Sequence, residues 1–184
     1  MPRCSWESYS DITWLMHEYH RCFNSGLWDE LGALFGDATY ETRYPWSAEG
    51  HGVQRGPAQV AADFRDMVRL HDGLPRVQYS LLNVMLEADD VAGTAHCRSH
   101  YIGVQGSRAT WSGYIGVDPR GDEGLLIELI TVGRYEDRFV RGDDGWQFAS
   151  RICFPDFTGD RSAHLGEDPV EYGRRFNAQQ REPH

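Results

Sequence analysis

Apolar residues near the start of the chain recur at helical spacing. Ile12, Leu15, Met16, Tyr19, Cys22 and Phe23 fall on one face of a 3.6-residue period. Ser8 or Ser10 is placed to cap that helix. Asn24-Ser25-Gly26 breaks it, and a short second helix follows with Leu27, Leu31, Leu34 and Phe35 on one side. Residues 38–44 alternate and predict a strand, and residues 45–56, with Gly and Pro, predict a loop. Gly56-Pro57 sets a proline in the first turn of a third helix. Val60, Phe64, Met67 and Val68 form its apolar stripe, and Asp72-Gly73 stops it.

Beyond Gly73 the period changes from 3.6 to 2. Strands are predicted over 76–87, 91–104, 108–117, 125–141 and 145–154, with turn signals such as Asp89-Asp90 and Gly142-Asp-Asp-Gly145 between them. Helices first and long strands afterwards predict an α+β fold rather than parallel α/β. Residues 1–157 read as one domain. Residues 158–184 are polar, include Pro169 and Pro183, and read as a tail packed on or over it.

Charge narrows the partners. The chain has 18 Lys and Arg against 28 Asp and Glu, a formal net charge of −10. No basic face dense enough for nucleic acid is expected, and nothing in the charge favours an anionic membrane. No apolar run approaches the roughly 18 residues of a membrane helix, and the polar N-terminus does not read as a signal peptide. Cys4, Cys22, Cys97 and Cys153 lie far apart with no CxxC spacing, so reduced thiols in a cytoplasmic protein are expected. No phosphate loop, dinucleotide fingerprint or serine elbow is present.

Several segments carry a family likeness: FNSGLWDELGALFGDATY (23–40), GVQRGPAQV (52–60), QYSLLNVML (78–86), DDVAGTAHCRSHY (89–101) and GRYEDRFVRGDDGWQFASR (133–151). In this order they resemble the SnoaL-like branch of the nuclear transport factor 2-like superfamily, in particular the scytalone dehydratase and hexachlorocyclohexane dehydrochlorinase group. The resemblance implies a cone-shaped, curved antiparallel sheet around the three helices, a cystatin-like roll with a pocket in its mouth. It implies cofactor-free and metal-free eliminations, isomerisations or cyclisations, and a homodimer or larger homo-oligomer paired through the outer sheet face. It also implies a His–Asp pair, but the matching positions hold Tyr79 and Asn24. A second active-site His of that group falls at His100 or, without a gap, at Tyr101.

The candidate chemistry follows from these positions. His100, with an ordinary pKa near 6.5, is the expected proton carrier. Tyr79 and Asn24 are expected to hold or polarise a substrate oxygen. Tyr19, Tyr44, His96 and Arg134 are the expected substrate-binding residues, with Arg134 suited to a carboxylate. Tyr40 and Tyr44 share a strand face. Glu128 and Asp137 have opposite parity, and whichever faces an apolar cavity would have a raised pKa and could act as a base. His96 and His100 stand about 13 Å apart along a strand, too far for one ion, and His17 and His20 lack a convincing partner, so neither metal nor cofactor is expected. The reading is a cofactor-free lyase, isomerase or cyclase acting by proton transfer on a small hydrophobic cyclic substrate. The alternative is a non-catalytic small-molecule-binding or oligomerising module. A weaker third, an epoxide-opening hydrolase, needs a converging Asp–Arg–Asp network.

Overall fold

A computed structural model describes residues 4–45, 52–71, 73–106 and 127–159. Three helices come first: α1 (Trp6–Ser25), α2 (Trp28–Ala33) and, after the strands β1 (Thr39–Thr42) and β2 (Val53–Arg55), α3 (Gly56–Met67). Two short strands, β3 (Leu70–His71) and β4 (Leu74–Pro75), make a small ribbon of their own. Four long strands complete the fold: β5 (Val77–Asp89), β6 (Thr94–Gly106), β7 (Ile127–Gly142) and β8 (Gly145–Thr158). The strand expected over 108–117 and the tail from residue 160 onward lie outside the described residues.

The main sheet is six-stranded, curved, and ordered β2-β1-β8-β7-β6-β5. It is mixed, not wholly antiparallel as expected, because β1 lies parallel to β8, with Thr39 opposite Ser150 and Thr42 opposite Cys153. The open edge of β8 takes β1 from the helical layer, and β1 then pairs with β2 inside the stretch expected to be loop.

Helix α1 is capped by Ser5 rather than by Ser8 or Ser10. The Ser5 hydroxyl accepts from the Ser8 amide. Ser8 is instead used for tertiary contacts: its hydroxyl donates to Asp90 at 2.5 Å and accepts from Trp146 Nε1 at 3.1 Å. The Asp90 carboxylate also accepts from the Ser5 amide at 2.8 Å, placing a negative charge at the helix N-terminus, where the helix dipole favours it. The other end closes on Gly26 at φ 69, where the Gly26 amide reaches Phe23 and the Leu27 amide reaches Cys22. Glycine takes this left-handed turn without a Cβ penalty.

The core lies between the helices and the inner sheet face. Phe23 and Trp28 meet Phe64 at ring separations of 5.3 and 6.0 Å, and Phe35 stacks on Phe148 at 5.0 Å. On β6 the buried side is Ala95, Cys97, Ser99 and Tyr101, and on β7 it is Thr131, Tyr135, Asp137 and Phe139. Four register shifts interrupt the alternation among the described strands, and two of them set which side chains of β5 and β8 face inward. One lies in β5 at Asn83, whose φ of 51 is positive, between Leu82 and Met85. The other lies in β8, where Arg138 pairs with Ser150 but Phe139 pairs with Phe148, leaving Ala149 extra. An extra residue moves the following side chains to the opposite face. Inward positions on β8 therefore change from Trp146 and Phe148 to Arg151 and Cys153.

Candidate functional site

A cavity opens between α1, α3 and the inner sheet face. It encloses about 50 Å³, or about 500 Å³ of empty space once its open mouth is counted. Tyr19 from α1, Tyr40 from β1, Tyr101 from β6 and Tyr135 from β7 supply four phenols, and Thr131 and Cys153 add a hydroxyl and a thiol. Tyr44, Met67, Tyr79 and Pro155 also line it. The enclosed part is small, well under the roughly 300–1,000 Å³ of ordinary small-molecule pockets, and suits a single polar head group with the rest of a ligand at the open mouth.

The rings form a connected set. Tyr101 stacks on Tyr135 at 4.5 Å, and Tyr79 lies 5.7 Å from Tyr101. Thr42 Oγ1 lies 3.4 Å from the Tyr40 hydroxyl, which in turn lies within hydrogen-bonding reach of Tyr19. The Tyr101 hydroxyl and Cys153 Sγ are 3.3 Å apart. Burial raises the pKa of Tyr19, Tyr40, Tyr101 and Tyr135 above that of an ordinary phenol. All four stay protonated at neutral pH and can donate hydrogen bonds.

Beneath the phenols lies an ion pair. Arg151 Nε and Nη2 donate to the two Asp137 oxygens, each at 2.8 Å, and neither side chain has any exposed surface. The guanidinium carbon lies 4.1 Å from the Tyr19 ring centre, 4.3 Å from Tyr135 and 4.7 Å from Phe148. Burial pushes the Asp137 carboxyl up and the Arg151 charge pulls it back. Both Asp137 oxygens are engaged by Arg151, so Asp137 is not a free base. Of the two acidic candidates, Asp137 is inward; the Glu128 side chain lies outside the described residues. Asp137 is the one carboxylate bonded to Arg151 among the described residues, so no Asp–Arg–Asp network forms there.

His20 lies beside this pair. Its Nδ1 donates to the Met16 carbonyl at 2.9 Å, leaving Nε2 buried with no hydrogen-bond partner among the described residues. Burial, with the Arg151 charge second, pulls its pKa down to about 3, so the ring is neutral at pH 7.

The residues expected to work together are divided between two faces. Tyr19, Tyr44 and Tyr79 line the cavity. Asn24 lies next to it, with its side chain tied to the backbone: Nδ2 donates to the Tyr79 carbonyl at 3.0 Å and Oδ1 accepts from the Tyr79 amide at 2.8 Å. It therefore holds strand β5 against the end of α1. His100 is exposed on the outer face, opposite Leu82 and Arg134, so the expected proton carrier does not reach the cavity. His96 is exposed on the same face between Glu87 and Arg138 and borders a different, open concavity of about 970 Å³. Arg134 also points outward. It pairs with Asp156 and stacks on the Phe154 ring at 4.3 Å. The physical reason is parity: on β6 the inward positions are odd and these His residues are even.

Sequence reasoning missed Tyr135, Cys153, Thr131, Arg151 and His20 as site residues. A signal was present on β6, where the charged and imidazole groups occupy alternate positions and Ala95, Cys97, Ser99 and Tyr101 the others. Glu18, Cys22 and Glu30 bring three potential metal ligands within 4.8 Å, but Arg21 bonds both carboxylates at 2.6 Å and occupies the cluster as a cation.

The pattern of the SnoaL-like domain matches residues 5–152 of the chain. Among solved structures, a protein of unknown function from Mycobacterium tuberculosis superposes with a TM-score of 0.63 at 17% identity, covering 96% of this chain and 90% of its own. A nuclear transport factor 2-like protein with a cystatin-like fold from Novosphingobium aromaticivorans gives 0.60 at 18% identity, covering 85% and 86%. A protein from Streptomyces avermitilis, proposed to be a dehydratase, gives 0.54 at 15% identity, covering 83% and 98%. These likenesses establish the fold. No curated protein sequence matches the chain.

Proposed function

This chain belongs to the SnoaL-like family, and from that premise we propose that it binds a small ring compound through one oxygen of that compound, in the tyrosine-lined cavity. The supporting observation is the chemistry of the lining. Tyr19, Tyr40, Tyr101 and Tyr135 converge as protonated donors around enclosed space, with no free carboxylate or titrating imidazole among the described residues lining it. Such a site grips a carbonyl or hydroxyl oxygen, while Phe23, Met67 and Pro155 provide apolar parts of the lining. The positions that the family resemblance assigns to a His–Asp pair are joined here as a clamp between Asn24 and the Tyr79 backbone. Binding is therefore the reading favoured over proton abstraction.

A second reading keeps a cofactor-free lyase, isomerase or cyclase. Four phenols in a low-dielectric space could hold a developing enolate, and one structural relative is proposed to be a dehydratase. Incubation with 2-cyclohexenone in deuterated buffer separates the two. Chemical-shift changes at the cavity tyrosines without deuterium entering the ring carbons support binding. Exchange faster than in buffer alone supports the enzyme. No perturbation at any concentration removes both.

The outer sheet face is proposed to pair two copies. Leu82, Leu129 and Phe157 stand exposed on it, amid Arg98, Glu136, Arg134 and Asp156. Light scattering of the purified chain checks this directly. No described helix is long and apolar enough to cross a membrane.

A further inference from the structure

Two cavity phenols share a cation. The Arg151 guanidinium carbon sits over the rings of both Tyr19 and Tyr135, at 4.1 and 4.3 Å from their centres, well inside the range of cation–π attraction. The Phe148 ring centre lies 4.7 Å away, and Asp137 fixes the guanidinium's orientation through two bonds. The whole assembly is buried, so water does not screen it. A positive charge behind a phenol ring stabilises electron density that moves onto the ring when its O–H donates. Tyr19 and Tyr135 both line the cavity, so what the cation does to their rings is felt by whatever oxygen they hold.

We propose that Arg151, oriented by Asp137, is the positioning residue of the tyrosine site: it fixes the Tyr19 and Tyr135 rings and strengthens both hydroxyls as hydrogen-bond donors. The inference rests on the binding role proposed above and names what tunes it. Two further observations support it. The Arg151 charge opposes the effect of burial on both phenols, making them better donors than burial alone would leave them. Arg151 Nη1 is buried with no hydrogen-bond partner among the described residues, a cost that a purely structural ion pair does not need to carry. The site should then rank ligands by the acceptor strength of their oxygen. A 3-amino-2-cyclohexenone, with its electron-rich carbonyl, should bind about tenfold tighter than 2-cyclohexenone of nearly the same shape.

The test is the infrared carbonyl stretch of bound, ¹³C-labelled 2-cyclohexenone. In the wild-type chain the band should lie at lower frequency than in water. In the double variant Arg151→Met/Asp137→Leu, which removes both charges together, the bound band should return to its position in water, and the tenfold preference should fall to about threefold or less. Arg151→Lys, which keeps the charge but not the two-bond link to Asp137, should give an intermediate band and provides a second variant if the double one does not fold. A merely structural role would lower occupancy without moving the frequency of the ketone that does bind. An unchanged frequency in a folded, ligand-binding variant overturns the proposal and leaves the binding role standing. Failure of the ketone to bind the wild-type chain overturns both.

Discussion

The Asn24 side chain is bonded at both ends to the backbone of a single residue, Tyr79, accepting from its amide and donating to its carbonyl. This tie links the C-terminal end of α1 to the strand that carries one wall of the cavity. Asn suits the task because it offers a donor and an acceptor, whereas an ionised Asp offers acceptors alone. We expect Asn24→Asp to cost about 1–3 kcal/mol at pH 7, because the Tyr79 carbonyl would face a carboxylate. Part of the loss should return below about pH 4, where the protonated acid can donate again. Urea midpoints at pH 7 and pH 3.5, each relative to wild type, check it; an equal loss at both would contradict the clamp.

His20 makes stability depend on acid. Its folded pKa of about 3 lies below the ordinary value of 6.5. The unfolded chain therefore binds a proton between these values and the folded chain does not. Stability should be full above about pH 6.5 and fall towards pH 3, at no more than about 1.4 kcal/mol per pH unit from this one group. His20→Leu should flatten that stretch of the curve. Denaturation series at pH 7, 6, 5 and 4 on both proteins measure the difference in slope.

The buried ion pair should behave asymmetrically. Removing either partner alone, by Arg151→Met or Asp137→Leu, strands a charge with no water to receive it, at an expected cost of about 3–5 kcal/mol. Removing both should cost less than the two single losses combined. A double-mutant cycle by chemical denaturation measures the coupling, and simple additivity would contradict the contact.

Gly133 makes room for the Tyr101 ring and the Phe154 backbone. A Cβ at this position would collide with the Phe154 carbonyl and the Tyr101 hydroxyl. Gly133→Ala is expected to destabilise by about 1–3 kcal/mol or more through overpacking, and to shift the Tyr101 ring away from Tyr135. Thermal denaturation and the near-ultraviolet circular dichroism of the stacked tyrosines report the two effects.

His100→Ala provides the contrast. With its ring exposed on the outer face, the change should alter stability by less than about 0.5 kcal/mol and leave ligand affinity at the cavity unchanged. Affinity that falls tenfold would return His100 to the site.

Much of the architecture was legible as periodicity. The stripe from Ile12 to Phe23 and the one from Val60 to Met67 mark helix faces because both bury in the same core, although α3 ends at Met67, ahead of the expected stop at Asp72-Gly73, and Val68 is already extended. The long strands follow their turn signals closely. The site was harder to read because it depends on which face of each strand turns inward. On β6 the apolar and small odd positions set against His96, Arg98 and His100 held that information, yet imidazoles suggest chemistry more readily than alanines suggest burial. On β8 alternation itself misleads. Counting by twos from Trp146 and Phe148 places Ser150 and Ile152 inside, and the extra residue at Ala149 reverses the outcome in favour of Arg151. Parallel pairing of β1 with β8 was equally hidden, since it joins segments more than a hundred positions apart.

That extra residue at Ala149 also acts as a frame-setter for the cavity floor. Deleting it would rotate the remainder of β8 by half a period. Arg151 and Cys153 would turn to solvent, an isoleucine would take the guanidinium's place beneath the phenols, and Asp137 would be left without its counter-ion. A single-codon loss, with no change to any lining tyrosine, is therefore the shortest genetic route from a charged floor to a greasy one.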